Sequence, residues 1–218
     1  GWGNSANVLT ATIRYGAVTK DPAIPSVIED VFEKARHYQV GVDSTGTPRY
    51  CDNFINDYYD DEGWWALAWI EASKLTGEKK YLDMAEIIFD DMTTGWSDAC
   101  GGGIFWKKNP LHYKNSIANN LFSLTAIRLY KATQNPAYLD WFKKNVDWYT
   151  QTGMINTDIY QIEDGTKDDC TPNRNAHYTY NQGVAIAVLA EMYLQTNDKS
   201  YLELAEKIAD ATITTQLV

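Results

Sequence analysis

The chain has 218 residues, 44% of them hydrophobic, with 29 acidic against 19 basic side chains and a formal net charge of −10. That length and apolar share supply core for one large globular domain or two small ones, and no stretch is long and apolar enough to read as a membrane span. An acidic chain without clustered Lys and Arg excludes the phosphate-tracking surface of a nucleic-acid binder and leaves neutral polymers as partners.

Apolar residues at three-and-four spacing predict helices over about 3–18, 24–40, 62–75, 80–93, 115–133, 137–151, 178–195 and 199–214. A repeat punctuates them. Thr19-Lys-Asp-Pro-Ala-Ile24 is a weak first copy of a pattern that returns as Thr76-Gly-Glu-Lys-Lys-Tyr81-Leu82, Thr133-Gln-Asn-Pro-Ala-Tyr138-Leu139 and Thr196-Asn-Asp-Lys-Ser-Tyr201-Leu202. The Thr residues stand 57, 57 and 63 positions apart. Each copy follows one helical run and precedes another, so the unit is a helical hairpin. Between hairpins the chain runs long, over roughly 41–60, 94–113 and 152–177. In an array of antiparallel hairpins these long loops are expected on one face. They carry Tyr50, Tyr58, Tyr59, Trp96, Trp106, Tyr113, Tyr160 and Tyr178, whose ring faces suit the C–H patches of sugars or wedge helix ends together.

Tyr58-Tyr59-Asp60-Asp61-Glu62-Gly63-Trp64-Trp65 opens the third helix. Two carboxyl groups sharing a site resist joint ionisation, so one holds a proton while the other stays anionic. Glycosidic cleavage needs that split. The plainer reading is a capping Asp60 with Asp61 and Glu62 complementing the helix dipole. Consecutive helical residues point about 100° apart, so Trp64 and Trp65 cannot both face one site. Gly101-Gly102-Gly103 lacks the Lys-Ser/Thr of a phosphate loop and serves a tight turn or a close ligand approach. Asn115 and Asn119 share a helix face where their amides could meet sugar hydroxyls, with capping by Asn115 as the alternative. Asp164-Gly165 is a turn or a subsite carboxylate. Asp168-Asp169 reads as a solvated charge cluster in preference to a weak calcium site. Gly183, inside the seventh helix, suggests close packing or substrate approach. Cys51, Cys100 and Cys170 lack metal-ligand spacing, and either one disulfide with a free thiol or three reduced thiols fits them.

Four ordered motifs carry a resemblance over nearly the whole chain: Tyr59-Asp60-Asp61-Glu62-Gly63-Trp64-Trp65-Ala66-Leu67, Gly101-Gly102-Gly103-Ile104-Phe105-Trp106, Lys114-Asn115-Ser116-Ile117-Ala118-Asn119 and Tyr178-Thr179-Tyr180-Asn181-Gln182-Gly183. Together they resemble glycoside hydrolase family 76, the endo-α-1,6-mannanases and related fungal wall proteins. The resemblance implies an all-α (α/α)6 barrel, retaining cleavage of α-1,6-mannan without cofactor or metal, Asp60 as nucleophile and Asp61 as acid/base. It also implies substrate contacts from Tyr59, Trp64, Trp65, Gly102, Gly103, Trp106, Lys114, Asn115, Asn119, Asp164, Tyr180, Asn181 and Gln182. A monomer acting on α-mannan or manno-oligosaccharide outside the cell or in its envelope is the expectation; Gly1-Trp2 itself encodes no address. Four hairpins against six predict one domain over 1–218 that is cut short at its C-terminal end. A non-catalytic mannan-binding protein of the same fold is the alternative. A terpene-type cyclase would also use Asp-rich motifs on α-barrels, but it wants a second metal motif and cations for diphosphate.

Overall fold

The repeated threonine builds the same turn four times. At Thr19, Thr76, Thr133 and Thr196 the hydroxyl donates to the carbonyl four residues back, at 2.8–2.9 Å, and accepts the N–H two residues on, at 3.1–3.3 Å. The residue after each threonine is left-handed: Lys20 at φ 59°, Gly77 at 75°, Gln134 at 61° and Asn197 at 58°. Its N–H closes the preceding helix in the αL cap. Asp21, Asn135 and Asp198 then accept the N–H two residues further along, starting the next helix. A single hydroxyl thus ties the end of one helix to the start of its partner.

The computed structural model describes residues 1–42, 45–108, 113–174 and 176–217. Among them are α1 (Trp2–Thr19), α2 (Ile24–Ala35), α3 (Tyr59–Thr76), α4 (Lys79–Thr93), α5 (Ser116–Thr133), α6 (Pro136–Tyr149), α7 (Thr179–Thr196) and α8 (Lys199–Gln216). They fall into two compact units, Gly1–Thr94 and Gly95–Val218. In the first, α3 packs against α1 and α4; in the second, α5 packs against α6 and α7, and α7 against α8.

Two expected boundaries are corrected. The second helix stops at Ala35, not 40, because His37–Val42 (β1) pairs antiparallel with Pro48–Asp52 (β2), with a bulge between Gln39 and Gly41. The run His-Tyr-Gln-Val-Gly-Val favours a pleated surface over a helix. The third helix starts at Tyr59, not 62, so the acid pair lies inside its first turn. A second small hairpin joins Ile155–Asn156 (β3) to Gln161–Ile162 (β4). The tip of the loop over 94–113, at 109–112, lies outside the described residues, as does the side chain of Tyr50.

The first unit is built around aromatic rings on α3. Trp65 sits 4.9 Å from Trp2, 4.8 Å from Phe54 and 5.7 Å from Trp69, and Trp69 stacks on Tyr81 at 5.5 Å. Such pairs contribute about 0.5–1.5 kcal/mol each beyond the area they remove from water. In the second unit Trp148, Tyr149, Met154, Ile162, Leu189 and Ile208 form the core under α7 and α8.

The turn makes a graded prediction. Thr133→Val, which removes both hydrogen bonds, lowers stability by about 1–2 kcal/mol, and Gly77→Val costs about as much through its left-handed backbone. Gly77→Asn is near neutral, since Asn197 already holds that conformation. Urea midpoints of the three variants check the order.

Candidate active site

Tyr58 caps α3 in an extended conformation, so Asp60, Asp61 and Glu62 crowd the first turn at the positive end of the helix dipole. Asp61 is held from two sides: Oδ1 accepts the Gly3 N–H of α1 at 2.9 Å, and Oδ2 accepts the Asn56 side-chain amide at 2.8 Å. A Cβ on Gly3 would lie 2.5 Å from that oxygen, so any larger residue there would displace the Asp61 carboxyl. Asn56 is locked in turn, its carbonyl oxygen accepting the Tyr58 N–H at 2.8 Å and its own N–H donating to Glu62 Oε1 at 3.3 Å. Asp60 is half-buried beside them. The nearby Cys51 thiol is buried and pushed up to about 12 by desolvation, then by the charge of Glu62; it is inert as a nucleophile.

Glu62 belongs to a series. It stands four residues past the N-cap of α3, as Asn119 does in α5 and Gln182 in α7. All three are fully buried. Each side-chain oxygen accepts a backbone N–H from the preceding long loop: Asn56 at 3.3 Å, Ile104 at 2.8 Å and Ile162 at 2.7 Å. Asn119 and Gln182 also return a hydrogen bond to the carbonyl of that same isoleucine, at 2.9 and 3.1 Å. Glu62 is the one member of the three with no amide to return.

Several expected sugar contacts are thereby corrected to framework. The Asn119 and Gln182 amides face backbone, and Asn115 caps α5 by accepting the Ala118 N–H. Trp65 is 1% exposed within the aromatic core, and Tyr59 is buried with its hydroxyl 3.0 Å from that of Thr94. Gly102 and Gly103 lie under Trp148, whose ring a Cβ would strike at 2.9 and 2.3 Å. Lys114 is 1% exposed and donates to the carbonyls of Ser97 at 2.7 Å, Ala99 at 2.5 Å and Gly102. A Cβ on Gly183 would meet nothing within 4 Å, which opposes close packing and leaves the alternative of substrate approach.

Asn181 is likewise fully buried and belongs to the framework, whereas Trp64, Trp106, Tyr180 and Asp164 remain open to a ligand. Trp64 and Trp106 are half-buried, and Tyr180 is 44% exposed, stacked on Tyr178 at 5.2 Å. Asp164 is half-buried between the Tyr113 hydroxyl at 2.5 Å and the Asn181 amide at 3.0 Å. Tyr113 is pushed up by burial and by that carboxylate. Asp169 forms an exposed turn with Thr171. A disulfide, Cys100–Cys170, ties the glycine loop to the loop bearing Asp164, and Cys51 is the free thiol.

Residues 1–217 match glycosyl hydrolase family 76. The chain belongs to that family. A mannan endo-1,6-alpha-mannosidase of Eremothecium gossypii is 27% identical over 85% of this chain and 44% of its own length. Another from Candida albicans is 28% identical over 86% and 45%. The family 76 chain described here thus spans about half the length of the curated relatives it matches. A solved protein of Listeria innocua aligns with a TM-score of 0.84 at 30% identity, covering 99% of this chain and 59% of that one. A variant of an α-1,6-mannanase from Salegentibacter sp., described as inactive with two adjacent aspartates replaced by asparagine, is in complex with α-1,6-mannotriose. It aligns at 25% identity with a TM-score of 0.79, over 97% of this chain and 60% of that one. Family 76 structures are (α/α)6 barrels, and the helical hairpins of this chain are of that all-α type.

Sequence reading missed Gly3 and Asn56. A glycine inside a helix and an Asn two residues before an N-cap are the signals that mark them.

Lys114 gives a prediction with a sign. Burial draws it down to about 8, opposed by Asp98. The folded value lies below the unfolded one, so from about pH 8 to the ordinary lysine value the unfolded chain holds a proton that the folded chain lacks. The Lys114 contribution to stability therefore rises with pH across that window. Lys114→Met strands three carbonyls and costs about 3 kcal/mol at pH 7. Urea unfolding at pH 7 and 9.5 should show the gap to wild type widening.

Proposed function

We propose that this chain carries the catalytic pair of an endo-acting, retaining α-1,6-mannosidase. The observation that carries the reading is Asp60-Asp61 in the first turn of α3, Asp61 fixed through both oxygens, beside a relative described as inactive once two adjacent aspartates are replaced. Retention needs two carboxyl groups only about 5–5.5 Å apart, a separation that neighbouring residues at a helix start can supply without convergence of distant loops. Asp60 attacks the anomeric carbon as Asp61 gives its proton to the departing O6, leaving a mannosyl ester on Asp60 and a free sugar hydroxyl. Asp61 then takes a proton from water, whose oxygen displaces Asp60 and regenerates both groups. A second sugar hydroxyl in place of that water gives transglycosylation from the same ester.

Trp64 in the first unit, and Trp106, Asp164 and Tyr180 in the second, are the side chains left to meet α-1,6-mannan or its oligosaccharides. The reaction as drawn uses no cofactor, metal or nucleic acid, and the protein works as a monomer. The Cys100–Cys170 bridge supports an extracellular or cell-envelope location, where disulfides persist. Among the described residues no helix is long and apolar enough to cross a membrane.

Incubation with linear α-1,6-mannan and mass spectrometry of the products tests the substrate. Asp60→Asn is expected to abolish the glycosyl-enzyme and nearly all turnover. Asp61→Asn is expected to lose about 10²–10⁴-fold on mannan, to spare activated aryl mannosides, and to respond to azide. Equal losses on the aryl substrate without an azide effect would count against the roles. Binding of mannotriose with no cleavage by wild type would favour a non-catalytic sugar-binding protein.

A further inference from the structure

We infer that Glu62 and Asn56 form a positioning pair for Asp61, Glu62 fixing the Asn56 backbone and Asn56 fixing the Asp61 carboxyl. The inference rests on the reading of Asp61 as a reacting group. Three observations lead to it. Glu62 occupies the position at which α5 and α7 carry Asn119 and Gln182, each fully buried and each catching a loop N–H through a side-chain oxygen. An amide serves that scaffold duty as well as a carboxylate and returns a second bond that Glu62 cannot make. A buried carboxylate is the costlier choice there, so its charge has a use that lies outside the scaffold.

The loop residue that Glu62 catches is what distinguishes this hairpin. Where the other two hold an apolar isoleucine, Glu62 holds Asn56, whose carbonyl oxygen is engaged by the Tyr58 N–H. That bond fixes the flip state of the amide and leaves its NH2 aimed at Asp61 Oδ2, opposite the Gly3 N–H on Oδ1. Each oxygen accepts one donor and retains a second lone pair for the proton Asp61 must hold and release. The carboxyl plane is set before substrate arrives, the preorganisation on which acid catalysis depends. Titratable groups close to Asp61 among the described residues include Asp60 and Glu62 on its own turn and Cys51 on β2. From α1 the facing group is the backbone of Gly3, and the first turn of α1 carries no acid.

The pair separates charge from hydrogen bonding. Glu62→Gln keeps the acceptor for the Asn56 N–H, in a shape Gln182 already fits, but removes a negative charge beside Asp61. Asn56→Asp keeps the acceptor for the Tyr58 N–H but replaces the donor to Asp61 with an oxygen. On α-1,6-mannan, both are expected to lower kcat by about 10–100-fold with KM within a few-fold. The basic limb of the kcat/KM pH profile moves to lower pH in Glu62→Gln and to higher pH in Asn56→Asp. Wild-type profiles in both variants, or shifts in the same direction, would overturn the pair. If wild type itself fails to cleave mannan, the hydrolase reading fails, and the Asp61 carboxyl carbon followed by NMR titration decides the pairing through the same opposite shifts. Should either variant fail to fold, the wild-type Gly3 amide proton must move with the Asp61 titration; a Gly3 signal indifferent to it refutes the geometry.

Discussion

A buried polar side chain four residues into a helix, catching the N–H of the loop before it, is the interaction on which the loop-bearing ends of α3, α5 and α7 depend. Long irregular segments carry backbone groups that water cannot reach once they fold over a helix end, and each such group needs a partner. Asn119 and Gln182 meet that need for Ile104 and Ile162, and Glu62 does so for Asn56. The isoleucines are then free to seal the core beneath. Loop position is set by the helix, and helix position by the threonine turns at its other end.

The same requirement explains why so many polar residues of the four motifs face inward. Lys114 donates to three carbonyls of the glycine loop while lying over the rings of Phe105 and Trp148, at 5.1 and 5.6 Å. Gly102 and Gly103 give Trp148 room to cover that loop, and its indole N–H donates to the Cys100 carbonyl at 2.9 Å. The disulfide then joins this loop to the one holding Asp164. A motif rich in Lys, Asn and Gly reads as a ligand surface in one dimension; in three it is the mount for a smaller surface made by Trp106, Asp164 and Tyr180.

The helices were legible because each carries a 3.6-residue apolar period, and the first helix of every hairpin ends on a threonine turn that recurs at nearly fixed spacing. Even the weak copy at Thr19 makes the full set of bonds. The hairpin over His37–Asp52 was not legible, because β1 and β2 are short and their pairing is set by contacts that no local period encodes. For the site, adjacency of Asp60 and Asp61 in sequence was enough to place them on one helical turn, and alternation was enough to predict that one of Trp64 and Trp65 enters the core. The partners of Asp61 come from 58 and 5 residues away. Burial was the main source of error: Tyr59, Asn119 and Gln182 have the chemistry of sugar ligands and the solvent access of core residues.

Repeats supply a control that a single site lacks. Where three hairpins solve one mechanical problem, a departure in one of them has to be explained by something outside the mechanics. Two positions depart in the hairpin of α3: a carboxylate replaces an amide at Glu62, and an asparagine replaces an isoleucine at Asn56. Each change trades local stability for a polar group near Asp61, and local rules are broken most often where function demands it. The Asp60-Asp61 pair therefore lies where the repeat is least like itself, and the substitutions that make it so are linked to each other and to Asp61 by hydrogen bonds.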